Sequence, residues 1–254
     1  MTLLAALLTA LLATPVAALA QDGPEELAKM ALADFKDALD DKSARKLEEA
    51  LRDFDRVYEK VSDKTRKKLH KAYGNLFALE VRQEIREDGS SPTDELLLVY
   101  QLGVGTVFDK DGGRELLLGA LKRKHVKAWP EAQALFVEAL GLRAEPKNVK
   151  ELVKYLGSDH AAVVRAAVAG LGQFAEADVD QRREVVKPLV MRLVELDKAA
   201  AKEKARGKKE DAQDFLVLVE GSFYDALLRL TRQRFERAEH WSAWFDEHGA
   251  EDSW

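Results

Sequence analysis

The sequence predicts an all-α protein, an α-solenoid of helical pairs behind an N-terminal helical hairpin. Three observations predict it. Apolar residues recur at three- and four-residue spacing, the period of a helix, and no segment shows convincing period-two alternation with β-branched residues. Short polar or glycine-containing joints separate segments of helix length. Two of the helical pairs resemble each other at an offset of roughly thirty residues, the mark of a repeat stack.

Composition bounds the rest. The chain has 254 residues, 46% hydrophobic and 33% charged, enough for one or two packed domains. It has no cysteine, which excludes disulfides, thiolate metal sites and a cysteine nucleophile. A net charge of -5 argues against general nucleic-acid binding, which depends on neutralising phosphates.

The chain opens "MTLLAALLTALLATPVAALAQDG". Thr2 to Ala20 carry no charged side chain, and Ala18-Leu19-Ala20 is a small-x-small cleavage site. Residues 1–20 are therefore expected to be a signal peptide cut before Gln21. The n-region lacks Lys and Arg, and the apolar run approaches spanning length, so an uncleaved membrane anchor is the alternative. An exported chain without disulfides fits a periplasmic or secreted location, at the cell surface or within the envelope.

The helices follow in order. Residues 24 to 40 open with Pro24 and two glutamates, a helix start. Residues 43 to 61 set Leu47, Leu51, Phe54, Tyr58 and Val61 on one stripe, and 63 to 86 continue with Leu69, Tyr73, Leu76 and Phe77. The short "VSDK" joint between them predicts an antiparallel hairpin, so 21–90 is read as an N-terminal helical hairpin region. A new helix starts where Ser91 caps and Pro92 takes the first position, and it runs to about Phe108. Then come "GRELLLGALKRK", "WPEAQALFVEALG", "NVKELVKYLG", "DHAAVVRAAVAGLG" and "DQRREVVKPLVMRLVEL". Asn148 with Glu151 reads as a capping pair. Residues 197 to 214 are helix-forming but read as wholly solvated, either a helix extension or an exposed loop. The segment Phe215 to Phe235 supplies the second helix of a third unit, and "HWSAWFDEHG" a short final one.

"FVEALGLRAE" (Phe136 to Glu145) lies over "AVAGLGQFAE" (Ala167 to Glu176), and "ELLLGAL" lies over "ELVKYLG". The first unit holds about five extra residues between its helices, around "KRKHVKAW". Within "LVKYLGSDHAAVVRAAVAGLGQF" an apolar helix, a turn with aspartate and then V-R-x-A-A-x-x-A-L-G follow one another. On these residues the chain resembles HEAT-like repeat proteins, strongest over 148–196. Asp159 and Arg165 match the family's aspartate and arginine, Leu171-Gly172 its closing pair, and Pro188 a proline of its first helix. "LTRQRFERAEHWSAWF" is similar to a tail seen on bacterial HEAT-like proteins. The resemblance implies HEAT-like helical pairs over 91–254, closed by a C-terminal aromatic cap. It also implies that Asp159 and Arg165 join a ladder of contacts between repeats.

Physical reasoning stands beside the resemblance. The helix after Asp159 is apolar nearly all round and should be buried, its alanines and Gly170 letting neighbours approach closely. Arg165 inside it needs a partner, an aspartate such as Asp178 or Asp180, or carbonyls at a helix end. Arg165→Leu is then expected to be tolerated less well than Arg182→Leu.

Candidate chemistry is sparse. The five histidines show no metal-ligand spacing. "DKDGGRE" fails as a calcium loop because Ala120 stands where the last acid belongs. "GVG" is too short to cradle a phosphate. Three basic clusters, 64–71, 122–127 and 202–209, read first as charged helix faces. Trp241 and Trp244 read as a cap over the open end of the stack, or as an aromatic anchor for a partner, and Trp254 leaves both readings open. The expected function is a non-catalytic exported scaffold, without cofactor, that binds a protein or peptide on its curved surface. The alternatives are an enzyme site assembled across repeats, and an envelope-surface protein that meets anionic lipid or polymer through the basic clusters.

Overall fold

The structure, a computed structural model, describes residues 23–80, 91–206 and 211–251. The expected signal peptide and Trp254 lie outside them. Among the described residues every regular element is helical, and none is a strand. The chain divides into two compact units, residues 1–106 and 107–254.

The first unit holds α1 (Pro24–Asp40), α2 (Ala44–Tyr58), α3 (Asp63–Leu76) and α4 (Pro92–Val107, whose last residue falls in the second unit). Pro24 occupies the first turn of α1, with Glu25 and Glu26 behind it. α3 receives no cap from the Ser62 side chain. Glu25 supplies one instead: its carboxylate accepts the Ser62 N–H at 2.6 Å and the Thr65 hydroxyl at 2.5 Å. The Thr65 hydroxyl and then the Ser62 amide hold the Glu25 pKa below its ordinary value. Phe54 packs edge-on to Tyr73, and Tyr58 stacks on His70, so α2 and α3 run antiparallel. The more extensive packing of α2 is against α1, with Phe35 on Phe54 at 5.1 Å.

α3 stops at Leu76, short of the expected residue 86. Leu76 and Phe77 turn onto α4, where a Cβ on Gly103 would stand 2.7 Å from Leu76. The Tyr100 hydroxyl donates to the Leu79 carbonyl at 2.7 Å. This packing places α4 with the N-terminal unit, which extends to Thr106.

The second unit begins with α5 (Gly113–Leu121), α6 (Lys124–Lys127) and α7 (Pro130–Leu142). The extra residues of the first pair are α6, a single turn. α8 (Pro146–Tyr155) and α9 (Ala161–Gly172) form the second pair, followed by a 3-10 turn over Gln173–Glu176. α10 (Val179–Ala205) and α11 (Asp211–Thr231) form the third, and α12 (Ala238–His248) ends the unit. α10 carries Pro188 without breaking, and Lys198 to Ala205 form its last two turns, solvated except for Ala200, which is buried.

The second helices of successive pairs pack side by side, α7 on α9 and α9 on α11. Glycine sets how near they come. A Cβ on Gly141 would stand 2.2 Å from the Gly170 Cα, so α7 and α9 touch backbone to backbone. Gly172, which aligns with Gly141 in sequence, meets the next helix in turn: a Cβ there would stand 3.2 Å from the Ala226 Cβ.

Three sequence expectations do not hold. α8 begins at Pro146 with Glu145 as its N-cap, so Asn148 is not a cap. It is fully buried and joins three helices, donating to the Leu140 carbonyl of α7 at 2.8 Å and accepting from Arg114 of α5 at 2.7 Å. The ladder through Asp159 and Arg165 is not formed. Both residues are exposed, and neither makes an ion pair or hydrogen bond among the described residues. α9 is not apolar all round: Ala162, Arg165, Ala169 and Gln173 follow its outward side. Asp178 instead caps α10, accepting from the Gln181 N–H at 2.9 Å, and Asp180 pairs with Arg183 at 2.6 Å.

Other arginines tie the pairs by donating to carbonyls at helix ends. Arg192 of α10 reaches the Leu156 carbonyl after α8 at 2.9 Å, and Arg182 reaches the Leu230 carbonyl in the last turn of α11 at 3.0 Å.

Two outcomes follow for unfolding measurements in denaturant. Gly141→Ala should lower stability by about 1–3 kcal/mol, because the helices must part. Gly119→Ala, where nothing lies within 4 Å, should raise it by about 0.5–1 kcal/mol through helix propensity. A neutral Gly141→Ala would show that the close approach is unimportant. For arginine the expected order is reversed: Arg182→Leu should cost about 1–2 kcal/mol, and Arg165→Leu should stay within about 0.5 kcal/mol of the parent. Equal losses would contradict the assignment.

Candidate functional site

The outward sides of α7, α9 and α11 together form a shallow trough of about 370 Å³. Its floor is small-residue surface: Ala134 from α7, Ala162, Ala166 and Ala169 from α9, and Ser222 from α11. Two charged side chains stand in it, Glu138 and Arg165.

The neighbours of Arg165 on α7 and α11 explain why it is unpaired. The residue equivalent to it in α7 is Ala134, by the sequence alignment of the two pairs. In α11 it is Gly221, because Ala226 meets Gly172 as Gly170 meets Gly141. Neither neighbour has a side chain that can reach a guanidinium. Glu138 lines the same trough, yet it too makes no ion pair among the described residues. The trough therefore presents one cation and one anion, both solvated, over a floor that a partner's backbone or side chains can approach closely. Sequence reasoning found Arg165 but assigned it inward, because the period alone does not say which side of an alanine-rich helix faces a neighbour. It missed Glu138, whose signal was the small residue facing it from the next helix.

The aromatic residues near the C-terminus play a different part. Trp241 is 1% exposed, so it is not a residue that a partner can touch, and that reading is corrected. Its ring lies edge-on to Phe235 at 4.9 Å, and its Nε1–H donates to the Phe235 carbonyl at 3.2 Å. Trp244 is half-buried, 6.3 Å from Trp241 and 5.8 Å from His248. His248 is 2.8 Å from a Glu251 carboxylate oxygen through Nδ1, and that contact raises its pKa above the ordinary histidine value. α12 packs on α10. Arg183 of α10 holds its far end, donating to the carbonyls of Gly249 at 2.5 Å and Glu251 at 2.7 Å. The aromatic cluster thus closes over the first helix of the last pair.

Other sequence candidates resolve as structure. His70 meets the Tyr58 hydroxyl within the first unit. Gly103 and Gly105 lie inside α4, and "DKDGG" is a helix-to-helix turn with Gly112 in the left-handed region at φ 78°. Among the described residues no group of three histidines or acids could hold a metal ion, and no helix is long and apolar enough to cross a membrane. Comparison with protein-family models, with curated proteins and with solved structures finds no match for this chain.

Proposed function

We propose that the chain is a non-catalytic, exported scaffold of HEAT-like helical pairs arranged as an α-solenoid, binding a protein or peptide on the surface of its second helices. The observation that carries this reading is the trough across α7, α9 and α11, with Arg165 and Glu138 unpaired over small residues. A residue kept charged, exposed and without a partner between two neighbours too short to reach it contributes little to folding and is placed to receive a complementary group. Helical stacks present such surfaces because successive second helices align. The N-terminal run from Thr2 to Ala20 supports export to the periplasm or beyond. A partner that fits offers a carboxylate for Arg165 and a cation for Glu138, on a backbone able to lie close to the alanine floor.

The test is site-specific photo-crosslinking in the native envelope. A crosslinking residue at Ala162 should capture one reproducible protein, and Arg165→Glu should reduce that product about tenfold while leaving the fold intact. The same residue at Gly119, on the first-helix side, should capture nothing comparable. Equal capture at both positions, or insensitivity to Arg165→Glu, would remove the trough from the reading.

A further inference from the structure

The basic cluster at 64–71 takes no part in the packing of the first unit, and the structure turns it into a helix face. α3 carries Lys64, Arg66, Lys67, Lys68 and Lys71 against one acid, Asp63. Arg66 takes up Asp63 at 2.8 Å. Leu69, Ala72, Tyr73 and Leu76 are buried, while Lys64, Lys67, Lys68 and Lys71 are all exposed. These four stand at i, i+3, i+4 and i+7, one side of the helix. Among the described residues none of them makes an ion pair or hydrogen bond. Lys68 feels the Glu25 carboxylate at longer range.

This arrangement opposes folding. Like charges at three- and four-residue spacing repel, and Lys64 stands in the first turn, where the helix dipole disfavours a cation. Elsewhere the helix faces are balanced at the same spacings: Lys29 meets Glu26, Arg52 meets Glu48, and Lys154 meets Glu151. α3 concentrates cations in a chain whose net charge is -5.

The chemistry of the face says what it fits. Lysines without an exposed large apolar side chain make a poor protein interface, whose core is depleted in lysine and needs an anchor. A compact, hydrated ammonium suits a diffuse layer of phosphates, which does not demand the fixed fork of arginine. The path of the chain selects a membrane. Glu25, in the first turn of α1, accepts from Ser62 and Thr65 at the start of α3. The apolar run from Thr2 ends at Ala20, five residues before Glu25, and five residues reach at most about 18 Å. When that run lies in a bilayer, as an export signal or as an anchor, the first turn of α3 is therefore held near the headgroups.

We propose that α3 lays Lys64, Lys67, Lys68 and Lys71 on the anionic phosphate headgroups of a membrane, keeping the chain at the bilayer surface by reversible electrostatic contact. Each lysine near such a surface raises partitioning roughly fivefold, and the attraction falls off within a Debye length. The contact does not use the trough of the second unit, so the two readings fail independently.

Vesicle co-sedimentation of the protein purified after expression of the full chain tests it. Phosphatidylcholine vesicles with about 30% phosphatidylglycerol should bind the parent, and pure phosphatidylcholine should bind it at least about tenfold less. Raising the salt from about 0.05 to 0.5 M should release it. Replacing all four lysines by glutamine should weaken binding to the anionic vesicles about a hundredfold, and the variant should melt no lower than the parent because repulsion is relieved. If that variant is unstable, Lys67→Glu alone should still weaken binding about tenfold. Lys122→Gln, Lys124→Gln and Lys127→Gln together, in the second basic cluster, should leave binding unchanged. Equal binding to the two kinds of vesicle, binding that survives the higher salt, or equal losses from the two sets of substitutions would overturn the proposal. So would dissolved inorganic polyphosphate that binds as tightly, per phosphate, as the vesicles do, which would point to a polymer instead.

Discussion

The backbone contact between Gly141 and Gly170 is the constraint on which the second unit depends. With α7 and α9 touching at that point, the side chains around it interlock from both helices, and α9 is held between α7 and α11 rather than beside one of them. The same device recurs once, from Gly172 to Ala226. The position after that is Leu228, which is 40% exposed. The layer of second helices thus ends where its glycine does. Such contacts are intolerant of growth, because a methyl group at Gly141 meets main chain rather than a side chain that can turn away.

Arginine divides its labour accordingly. Arg182, Arg183 and Arg192 lie on α10 and donate to carbonyls at the ends of other helices, where the backbone has acceptors left over. Asn148 and Arg114 join the earlier pairs in the same way. With the pairs joined by these contacts, Arg165 has no structural task and stands in the open trough. The charge that looked most costly to bury is the one left in water.

Much of this was legible in the sequence, and the failures have physical causes. Helix type and order could be read because the apolar period is strong, as in the Leu47, Leu51, Phe54 stripe. The extra residues of the first pair could be counted, and they fold as α6. The close approach of α9 to its neighbours was legible in its alanines and glycines. The orientation of α9 was not. A helix rich in alanine presents nearly the same surface all round, so periodicity cannot tell its outward side from its inward side. The end of α3 was also hidden, since Leu76 and Phe77 continue the helical period while turning onto α4. Asn148 suits a cap by type and spacing, and only the start of α8 at Pro146 shows that it serves as a buried bridge. The trough needed register between helices, which no single segment contains.

The central claim is that α7, α9 and α11 form one closely packed layer with α9 at its centre, and that the proposed binding surface rests on it. Native-state hydrogen exchange measures this directly. The account predicts that the amides of α9 from Val163 to Leu171 exchange most slowly in the second unit, opening only with its global unfolding, while α12 and the polar end of α10 open earlier. Exchange in α9 as early as in α12 would contradict it.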